Sequence, residues 1–256
     1  MDCNREELLI ATIARLLEGC RHVAVGELSP IPGAAAFLAR QRDHRVTVLG
    51  RLKSNMFTNG GVELFDCAAQ GRIDAFFIGG GQIDGAANIN LIGTGDYPRT
   101  GVRWPGCFGT AFLYAMVPRV ILFRQEHSRR VLVPRVDFIS APGTSAPGVY
   151  RRGGPYALIT NMALFAFDTA RRRFRLESVH PGATLEAVLD NTGFDFDRPE
   201  DVAQTPAPDA ETLSLMRGPV AREIARTYPR FAATLFPDAA EGLSGRRRST
   251  RTLPGW

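Results

Sequence analysis

Hydrophobic positions in the first part of the chain alternate between helical and strand-like spacing. Residues 5–18 carry leucines and isoleucines three and four positions apart, with charged residues between them, which predicts an amphipathic helix. Apolar runs at 22–26 and 45–50 predict buried strands, and 34–42 predicts a helix that follows a Pro-Gly turn. This order of helix, strand, helix and strand favours a mostly parallel sheet with helices on both faces.

The same kind of pattern continues towards residue 140. It predicts a short helix at 62–71, a strand at 74–81 and two strands around a polar turn within 119–140. The polar stretch 51–61 is expected to be irregular. The fold class expected from the pattern is therefore an open α/β sheet.

The last third of the chain changes to longer strands and a capped helix. Residues 156–179 predict a hairpin that turns at Asp168 and Thr169, and a threonine cap and closing glycine predict a helix at 184–193. One domain is expected over residues 1–225, followed by a flexible, arginine-rich extension over 226–256.

Composition supports a folded protein. The chain has 256 residues, of which 45% are hydrophobic and 22% are charged, proportions typical of globular proteins. Acidic and basic residues precede the first apolar stretch, and no window approaches the roughly 20 apolar residues of a membrane span. A cytoplasmic protein without a membrane partner is expected.

Arginine supplies most of the positive charge behind a net charge of +5. Clusters at 151–152, 171–173 and 246–248 could meet nucleic acid or the phosphates of a nucleotide-like ligand. Solvated surface charge is the favoured interpretation, so no nucleic-acid partner is expected.

The cysteines and histidines give little support to a metal or nucleophile site. The four cysteines are widely spaced and form no pair of the kind that zinc requires, so no metal is expected. Cys107 lacks an identifiable base, and His127 and His180 are expected to face solvent or to make structural hydrogen bonds.

Two glycine-bearing stretches are candidate binding loops. Gly79, Gly80 and Gly81 follow a predicted strand, where they could let backbone amides approach a ligand or could simply permit a tight turn. The motifs GxGxxG and GxxxxGK[ST] are absent, which argues against a classical NAD or ATP site. Residues 103–110, "RWPGCFGT", could contribute to an oxyanion hole or a thioester pocket.

Four stretches in order along the chain, "VAVGELSPIPGAAAFLAR", "FIGGGQIDGAANIN", "RVDFISAPG" and "VHPGATLEAVLDNTGFDFD", resemble the β subunit of family I CoA-transferases. The glutaconate CoA-transferase type is the most similar in pattern, and the resemblance runs to about residue 220. It implies the three-layer α/β fold of that family, a homologous α subunit as partner and an acyl-CoA substrate. Coenzyme A would be a co-substrate, with no permanently bound cofactor.

The resemblance also assigns site residues. Gly79, Gly80 and Gly81 would shape the strand end, and the loop with Gly106 and Gly109 would hold the oxyanion. Four polar residues would line or brace the acyl-CoA cleft: Gln82, Asp84, Asn88 and Asn90.

One position departs from the family. The glutamate nucleophile expected at the end of the second strand is replaced by Leu49, with Gly50 after it. Glu27 is the candidate substitute, and Glu63 is expected in the first turn of a helix.

Three functions remain open at this point. The chain could be a CoA-transferase subunit whose catalytic glutamate comes from the α subunit. It could resemble a branch of the superfamily that hydrolytically opens a ring of a CoA-linked steroid degradation intermediate. It could also be a non-catalytic binding or scaffold subunit.

Overall fold

A computed structural model describes residues 3–41, 44–49 and 61–237. The predicted irregular stretch at 51–60 and the arginine cluster at 246–248 lie outside these residues. The helices of the described chain are α1 (Arg5–Leu16), α2 (Pro30–Arg40), α3 (Val62–Ala69), α4 (Thr110–Met116), α5 (Leu185–Asn191), α6 (Ala210–Leu215), α7 (Ala221–Thr227) and α8 (Pro229–Leu235). A π-helical turn, Met216–Val220, joins α6 to α7.

The strands fall into one large sheet and two small hairpins. The large sheet contains β1 (His22–Val25), β2 (Arg45–Val48), β3 (Ala75–Ile78), β8 (Arg119–Phe123), β9 (Pro155–Ile159), β10 (Ala163–Asp168), β11 (Arg173–Val179) and β12 (Ala203–Gln204). The hairpins are β4 (Gln82–Ile83) with β5 (Ile89–Asn90), and β6 (Gly93–Thr94) with β7 (Val102–Arg103).

The large sheet has the order β12-β11-β10-β9-β8-β3-β1-β2. Strands β2, β1, β3, β8 and β9 are parallel, whereas β10 runs antiparallel to both of its neighbours. The predicted fold class, an open and mostly parallel sheet, is confirmed. The strand order reverses at β1, because β2 lies on one side of it and β3 on the other.

Alternate residues of the central strands pack on opposite faces of the sheet. Val23, Val25 and Phe77 belong to a hydrophobic cluster with α1, α2 and the C-terminal helices. Ala24 and Phe76 belong to a second cluster with α3 and α4. Because both faces are covered, residues 23–25 of β1 and all of β3 are apolar, which is why the sequence showed continuous apolar runs there.

The first helix begins at a capping box. The Asn4 side chain accepts a hydrogen bond from the Glu7 amide at 2.9 Å, and Glu7 returns one from the Asn4 amide at 3.0 Å. Arg217, at the π-helical turn, donates to Glu7 Oε1 at 2.6 Å. Burial raises the pKa of Glu7, but these hydrogen bonds outweigh it and hold the pKa below 4.5. The contact between Arg217 and Glu7 thereby connects the start of α1 to the π-helical turn.

Three predictions about single elements were wrong. Helix α2 begins at Pro30, so Pro32 and Gly33 lie within it and do not form a turn before residue 34. The second strand expected within 119–140 does not form, since residues 131–140 are irregular apart from isolated bridges such as Ile83 with Leu132. The segment 156–179 contains parts of three strands, although its turn at Asp168 is where it was predicted.

The expected flexible extension from residue 226 is also corrected. The chain continues into α8 and packs there, with Ala232 fully buried and Phe236 5% exposed in the cluster around α1 and α2. Residues 238–256 lie outside the described part of the chain.

Candidate functional site

A cleft of about 540 Å³ opens at the carboxyl ends of the parallel strands. The residues that follow β1, β2 and β3 line it, among them Glu27, Leu49 and Gly79. It lies where the strand order reverses between β1 and β3, the place where ligands bind in open α/β sheets. The topology alone therefore marks this cleft as the candidate site.

Leu49 lies on the wall of the cleft. It comes directly after β2, and its amide donates to the Val25 carbonyl at 2.9 Å, which continues the ladder between β1 and β2 past the last strand residue. Glu27 follows β1 on the same sheet edge, is exposed, and also lines the cleft. Among the described lining residues, Glu27 carries the one carboxylate. Glu63 lies in the first turn of α3, as predicted.

The loop at 106–109 covers the cleft opposite the strand ends. Gly106 and Phe108 line the cleft, and both have positive φ, of 109° and 28°. Gly109 has φ 64° and serves as the N-cap of α4, where an added Cβ would collide with the Phe65 ring. The loop is therefore held in a conformation that ordinary side chains resist. Its use as an oxyanion hole stays a prediction.

The three successive glycines have different surroundings. Gly79 lines the cleft, and a Cβ at Gly80 would come within 2.9 Å of the Gln82 carbonyl oxygen. A Cβ at Gly81 would overlap the Trp104 ring, so the indole packs directly on the backbone. The structure thus brings Gly79 to the cleft, whereas Gly80 and Gly81 permit close packing behind it.

Gln82 and Asn90 form a buried pair in the hairpin beyond β3. The Asn90 amide donates from Nδ2 to Gln82 Oε1 at 2.7 Å and to the Gly93 carbonyl at 2.7 Å. Asn90 Oδ1 accepts from the Ile92 amide at 2.9 Å, and Gln82 Oε1 also accepts from the Asp137 amide at 3.0 Å. Neither residue is among the cleft-lining residues.

Asp84 and Asn88 close the turn of the same hairpin. Asp84 Oδ1 accepts from the Asn88 amide at 3.0 Å, and Asp84 Oδ2 accepts from Asn88 Nδ2 at 3.1 Å. Asn88 Oδ1 in turn accepts from the Gly143 amide at 3.1 Å. These polar atoms brace one loop against another. The resemblance implied that these residues would line or brace the acyl-CoA cleft, and bracing is the role that these hydrogen bonds support. Any direct contact with a ligand stays a prediction.

Sequence reasoning missed the apolar part of the cleft. Leu64, Leu91 and Leu113 line it beside Phe108, whose side chain is 73% exposed. Their hydrophobicity indicated only a buried core, and no sequence signal separates a cleft wall from a core face. An exposed phenylalanine in a strained loop is a signal that only the structure supplies.

The two candidate histidines are buried and structural. His127 lies between the hydroxyls of Thr160 at 2.8 Å and Thr192 at 3.0 Å, and His180 lies 2.7 Å from the Thr205 hydroxyl. Burial lowers the pKa of each imidazole to about 4. Neither lines the cleft.

Three further observations concern metal ligands, the Cys107 thiol and membrane-spanning helices. Within the described residues, no three His, Cys, Asp or Glu side chains group in a way that could hold a metal ion. Cys107 lines the cleft as a free thiol, with the Thr110 hydroxyl donating to its carbonyl oxygen. No helix in the described ranges is long and apolar enough to cross a membrane.

Comparison with known sequences gives a consistent family. The family model of coenzyme A transferase matches residues 45–191. The β subunit of 3-oxoadipate CoA-transferase from Pseudomonas knackmussii is 34% identical over 161 residues, which cover 60% of this chain and 62% of that protein. The β subunit of glutaconate CoA-transferase from Acidaminococcus fermentans is 32% identical over 148 residues, 55% of this chain and 54% of that protein.

A hydrolase is found among the relatives as well. The cholesterol ring-cleaving hydrolase IpdB subunit of Rhodococcus jostii is 30% identical over 159 residues, which cover 60% of this chain and 62% of the relative. The matches thus span less than two thirds of the length of these relatives.

Comparison with solved structures shows a similar fold over most of the chain. The decarboxylase AibA/AibB has a TM-score of 0.72 at 27% identity, covering 84% of this chain and 94% of that one. Glutaconate coenzyme A-transferase from Acidaminococcus fermentans has a TM-score of 0.74 at 25% identity, covering 85% and 94%. The three-layer fold expected from the sequence resemblance is confirmed.

Proposed function

The chain belongs to the coenzyme A transferase family, as a β-type subunit, and from that premise we propose that it works with a homologous α subunit on an acyl-CoA thioester. The observation that carries this proposal is the cleft at the strand-order reversal, which Leu49, Glu27 and Gly79 line from three separate strand ends. Coenzyme A is the co-substrate, and its acyl group would enter this cleft.

The chemistry of thioesters explains what such a cleft has to provide. A carboxylate oxygen attacks the thioester carbonyl, the C–S bond breaks, and CoA leaves as a thiolate while an anhydride forms. The thiolate then attacks the carbonyl of the anhydride that came from the attacking carboxylate. The C–O bond there breaks, the original acyl group leaves as a carboxylate, and CoA has been transferred. Backbone amides near the developing oxyanion lower the barrier because they need no reorganisation. The loop with Gly106 is the part of this chain that would provide them.

The attacking carboxylate is proposed to come from the α subunit. Leu49 has no group that could form an anhydride, and its backbone is fixed to β1 by the hydrogen bond to Val25. This chain would then contribute an apolar wall, which excludes water from the thioester and so strengthens electrostatic interactions in the cleft. Leu64, Leu91 and Leu113 supply much of that wall.

A hydrolase is the second candidate function. Two observations support a reaction in which water, and not a second carboxylate, is the acceptor. Leu49 stands in place of a nucleophilic carboxylate, and the chain is 30% identical to a ring-cleaving hydrolase subunit. The two reactions share the acyl-CoA cleft and differ in the acceptor, so the same purified complex can decide between them.

The test is reconstitution with an α-type subunit from the same organism. Purified complex is mixed with a panel of acyl-CoA thioesters, with and without carboxylate acceptors, and free and transferred CoA are separated by chromatography. Acceptor-dependent formation of a new thioester supports a transferase, and acceptor-independent product formation at a CoA-linked ring supports a hydrolase. If the complex forms and turns over no thioester, the chain is a binding or scaffold subunit and the enzymatic proposal is wrong.

Glu27→Gln tests where the carboxylate comes from. The variant keeps the size of the side chain and removes its charge, and Glu200→Gln, an exposed glutamate that does not line the cleft, is the matched control. With the nucleophile in the α subunit, both variants should keep kcat within about threefold. A loss of about 100-fold or more in Glu27→Gln alone, the scale of a lost acid, base or nucleophile, would place the reacting carboxylate in this chain.

A further inference from the structure

A second pocket, of about 350 Å³, lies at the opposite edge of the sheet from the cleft. Pro118 and Pro155 line it, and these residues stand at the amino ends of β8 and β9. The cleft, by contrast, lies at the carboxyl ends of the neighbouring parallel strands. A five-residue strand, which is about 17 Å long, therefore separates the two edges at β8.

Three arginines and no acidic side chain are found among the described residues that line this pocket: Arg151, Arg152 and Arg172. Arg152 and Arg172 are exposed, and neither forms an ion pair within the described part of the chain. The neighbouring Arg171 and Arg173 differ, since both pair with Asp197, at 2.6 Å and 3.1 Å. The charge on the pocket is thus left uncompensated while adjacent arginines are neutralised.

Arg151 is fixed in place by carbonyl oxygens. Its Nε donates to the Gly153 carbonyl at 2.8 Å, Nη1 donates to the Pro142 carbonyl at 2.9 Å, and Nη2 donates to the Tyr114 carbonyl at 3.2 Å. The guanidinium also lies 5.3 Å from the centroid of the Tyr114 ring. Carbonyl acceptors orient the cation and leave its full charge in the pocket, so this side of the pocket is preorganised.

Arg172 occupies a backbone conformation that favours glycine. Its φ is 55°, in the turn that joins β10 to β11. An L side chain is disfavoured there on steric grounds. The turn would form more readily with glycine, so the turn itself does not account for a guanidinium at this position.

Hydroxyl groups complete the lining of the pocket. Thr144, Ser145 and Thr169 line it with the arginines, and Ser145 Oγ accepts a hydrogen bond from Arg151 at 3.3 Å. Guanidinium groups with adjacent hydroxyl donors match the tetrahedral, multiply charged oxygens of a phosphate. We propose that this pocket binds the phosphate groups of a small phosphorylated ligand, separately from the acyl-CoA cleft.

Titration calorimetry of the 256-residue chain tests the proposal, with pyrophosphate and ADP as probes. They present phosphate alone or on a nucleotide. The KM of the reconstituted complex for acyl-CoA distinguishes a separate site from a distal part of the acyl-CoA site. Pyrophosphate or ADP should bind, with an affinity that falls as the salt concentration rises. Arg172→Gly should weaken that binding about tenfold, which corresponds to the loss of one charge-assisted hydrogen bond.

The variants separate binding from folding. Arg172→Gly suits the positive φ, so it should be at least as stable as the native chain in a thermal melt. Arg222→Ala removes an exposed arginine of α7 that is outside the pocket, and it should bind the probes like the native chain. In the reconstituted complex, Arg172→Gly should leave the KM for acyl-CoA unchanged, because the thioester that turns over occupies the cleft.

Three results would overturn the proposal. If neither pyrophosphate nor ADP binds the native chain, or if Arg172→Gly and Arg222→Ala weaken binding equally, the pocket is not a phosphate site. If Arg172→Gly raises the KM for acyl-CoA by the same factor by which it weakens pyrophosphate binding, the pocket belongs to the acyl-CoA site. All three leave thioester turnover by the native complex as an independent test of the proposed function.

Discussion

Lowering the pH should destabilise the fold through His127 and His180. Both imidazoles are buried, and desolvation lowers their pKa from 6.5 to about 4. Between these two values the unfolded chain binds protons that the folded chain does not. Above about pH 6.5 these groups therefore do not affect the free energy of unfolding. It decreases as the pH falls below that value, and the decrease is complete below about pH 4.

The magnitude follows from the two pKa values. At about pH 5 an unfolded histidine is almost fully protonated and a histidine with a pKa of about 4 is mostly neutral, so each group removes about 2 kcal/mol from the free energy of unfolding. The sum for both, about 4 kcal/mol, is a large part of the 5–15 kcal/mol typical of a domain. Burial lowers the pKa of His22 as well, so it acts in the same direction.

Urea unfolding at pH 8 and at about pH 5 measures this loss. The double variant His127→Gln, His180→Gln should be less stable than the native chain at pH 8, because its hydrogen bonds to Thr160 and Thr205 are altered. Its further loss on going to pH 5 should be about 4 kcal/mol smaller than that of the native chain. Glu7 does not contribute in this window, since its pKa lies below 4.5. An equal pH-dependent loss in both proteins would refute the assignment to these two histidines.

Two glycine substitutions test the packing around the fold. Gly81→Ala should displace the Trp104 ring, change the tryptophan emission spectrum and cost about 1–3 kcal/mol of unfolding free energy, as overpacking generally does; an unchanged spectrum would contradict this contact. Gly33→Ala should destabilise by a similar amount in urea unfolding, because the new Cβ would lie 2.8 Å from the Tyr228 ring. In a Tyr228→Ala background the same substitution should instead stabilise α2 by up to about 1 kcal/mol, and a persistent loss would show that Tyr228 is not the cause.

The central strands could be predicted from the sequence because their environment is uniform. Strand β3 and residues 23–25 of β1 are apolar at every position since helices cover both faces. The apolar run at 131–133 has the same appearance but lies in an irregular segment, where the Ile83 amide donates to the Val131 carbonyl at 2.7 Å. A hydrophobic pattern indicates that side chains are buried. An irregular segment that forms hydrogen bonds with a hairpin can be as buried as a strand, so the pattern does not distinguish the two.

The C-terminal helix was missed for a related reason. Helix α8 is only seven residues long, and its contribution to the core rests on single residues such as Ala232. A segment of this length has too few apolar positions to show a period. Its position depends on tertiary contacts with α7 and with the hydrophobic cluster around α1 and α2, which the local sequence does not encode.

The candidate site was predicted in part. Leu49, Glu27 and Gly79 line one cleft because the ends of parallel strands meet at one sheet edge, and the loop with Gly106 lines the same cleft. The polar atoms of Asn90 are instead taken up by the surrounding hairpin. Residue type shows that a side chain can form hydrogen bonds, and only the folded chain shows which partners it finds.

The division of β1 between two hydrophobic clusters limits how the gene can change. Val23 and Val25 face one cluster and Ala24 faces the other, so deletion of a single codon within β1 would exchange the two sets of side chains. The same deletion would shift Gly26 and Glu27 relative to Leu49 at the edge of the cleft. Point substitutions of similar size leave both arrangements intact. Divergence along this strand should therefore proceed by replacement, with strand length kept constant, and the loops should absorb the changes in length.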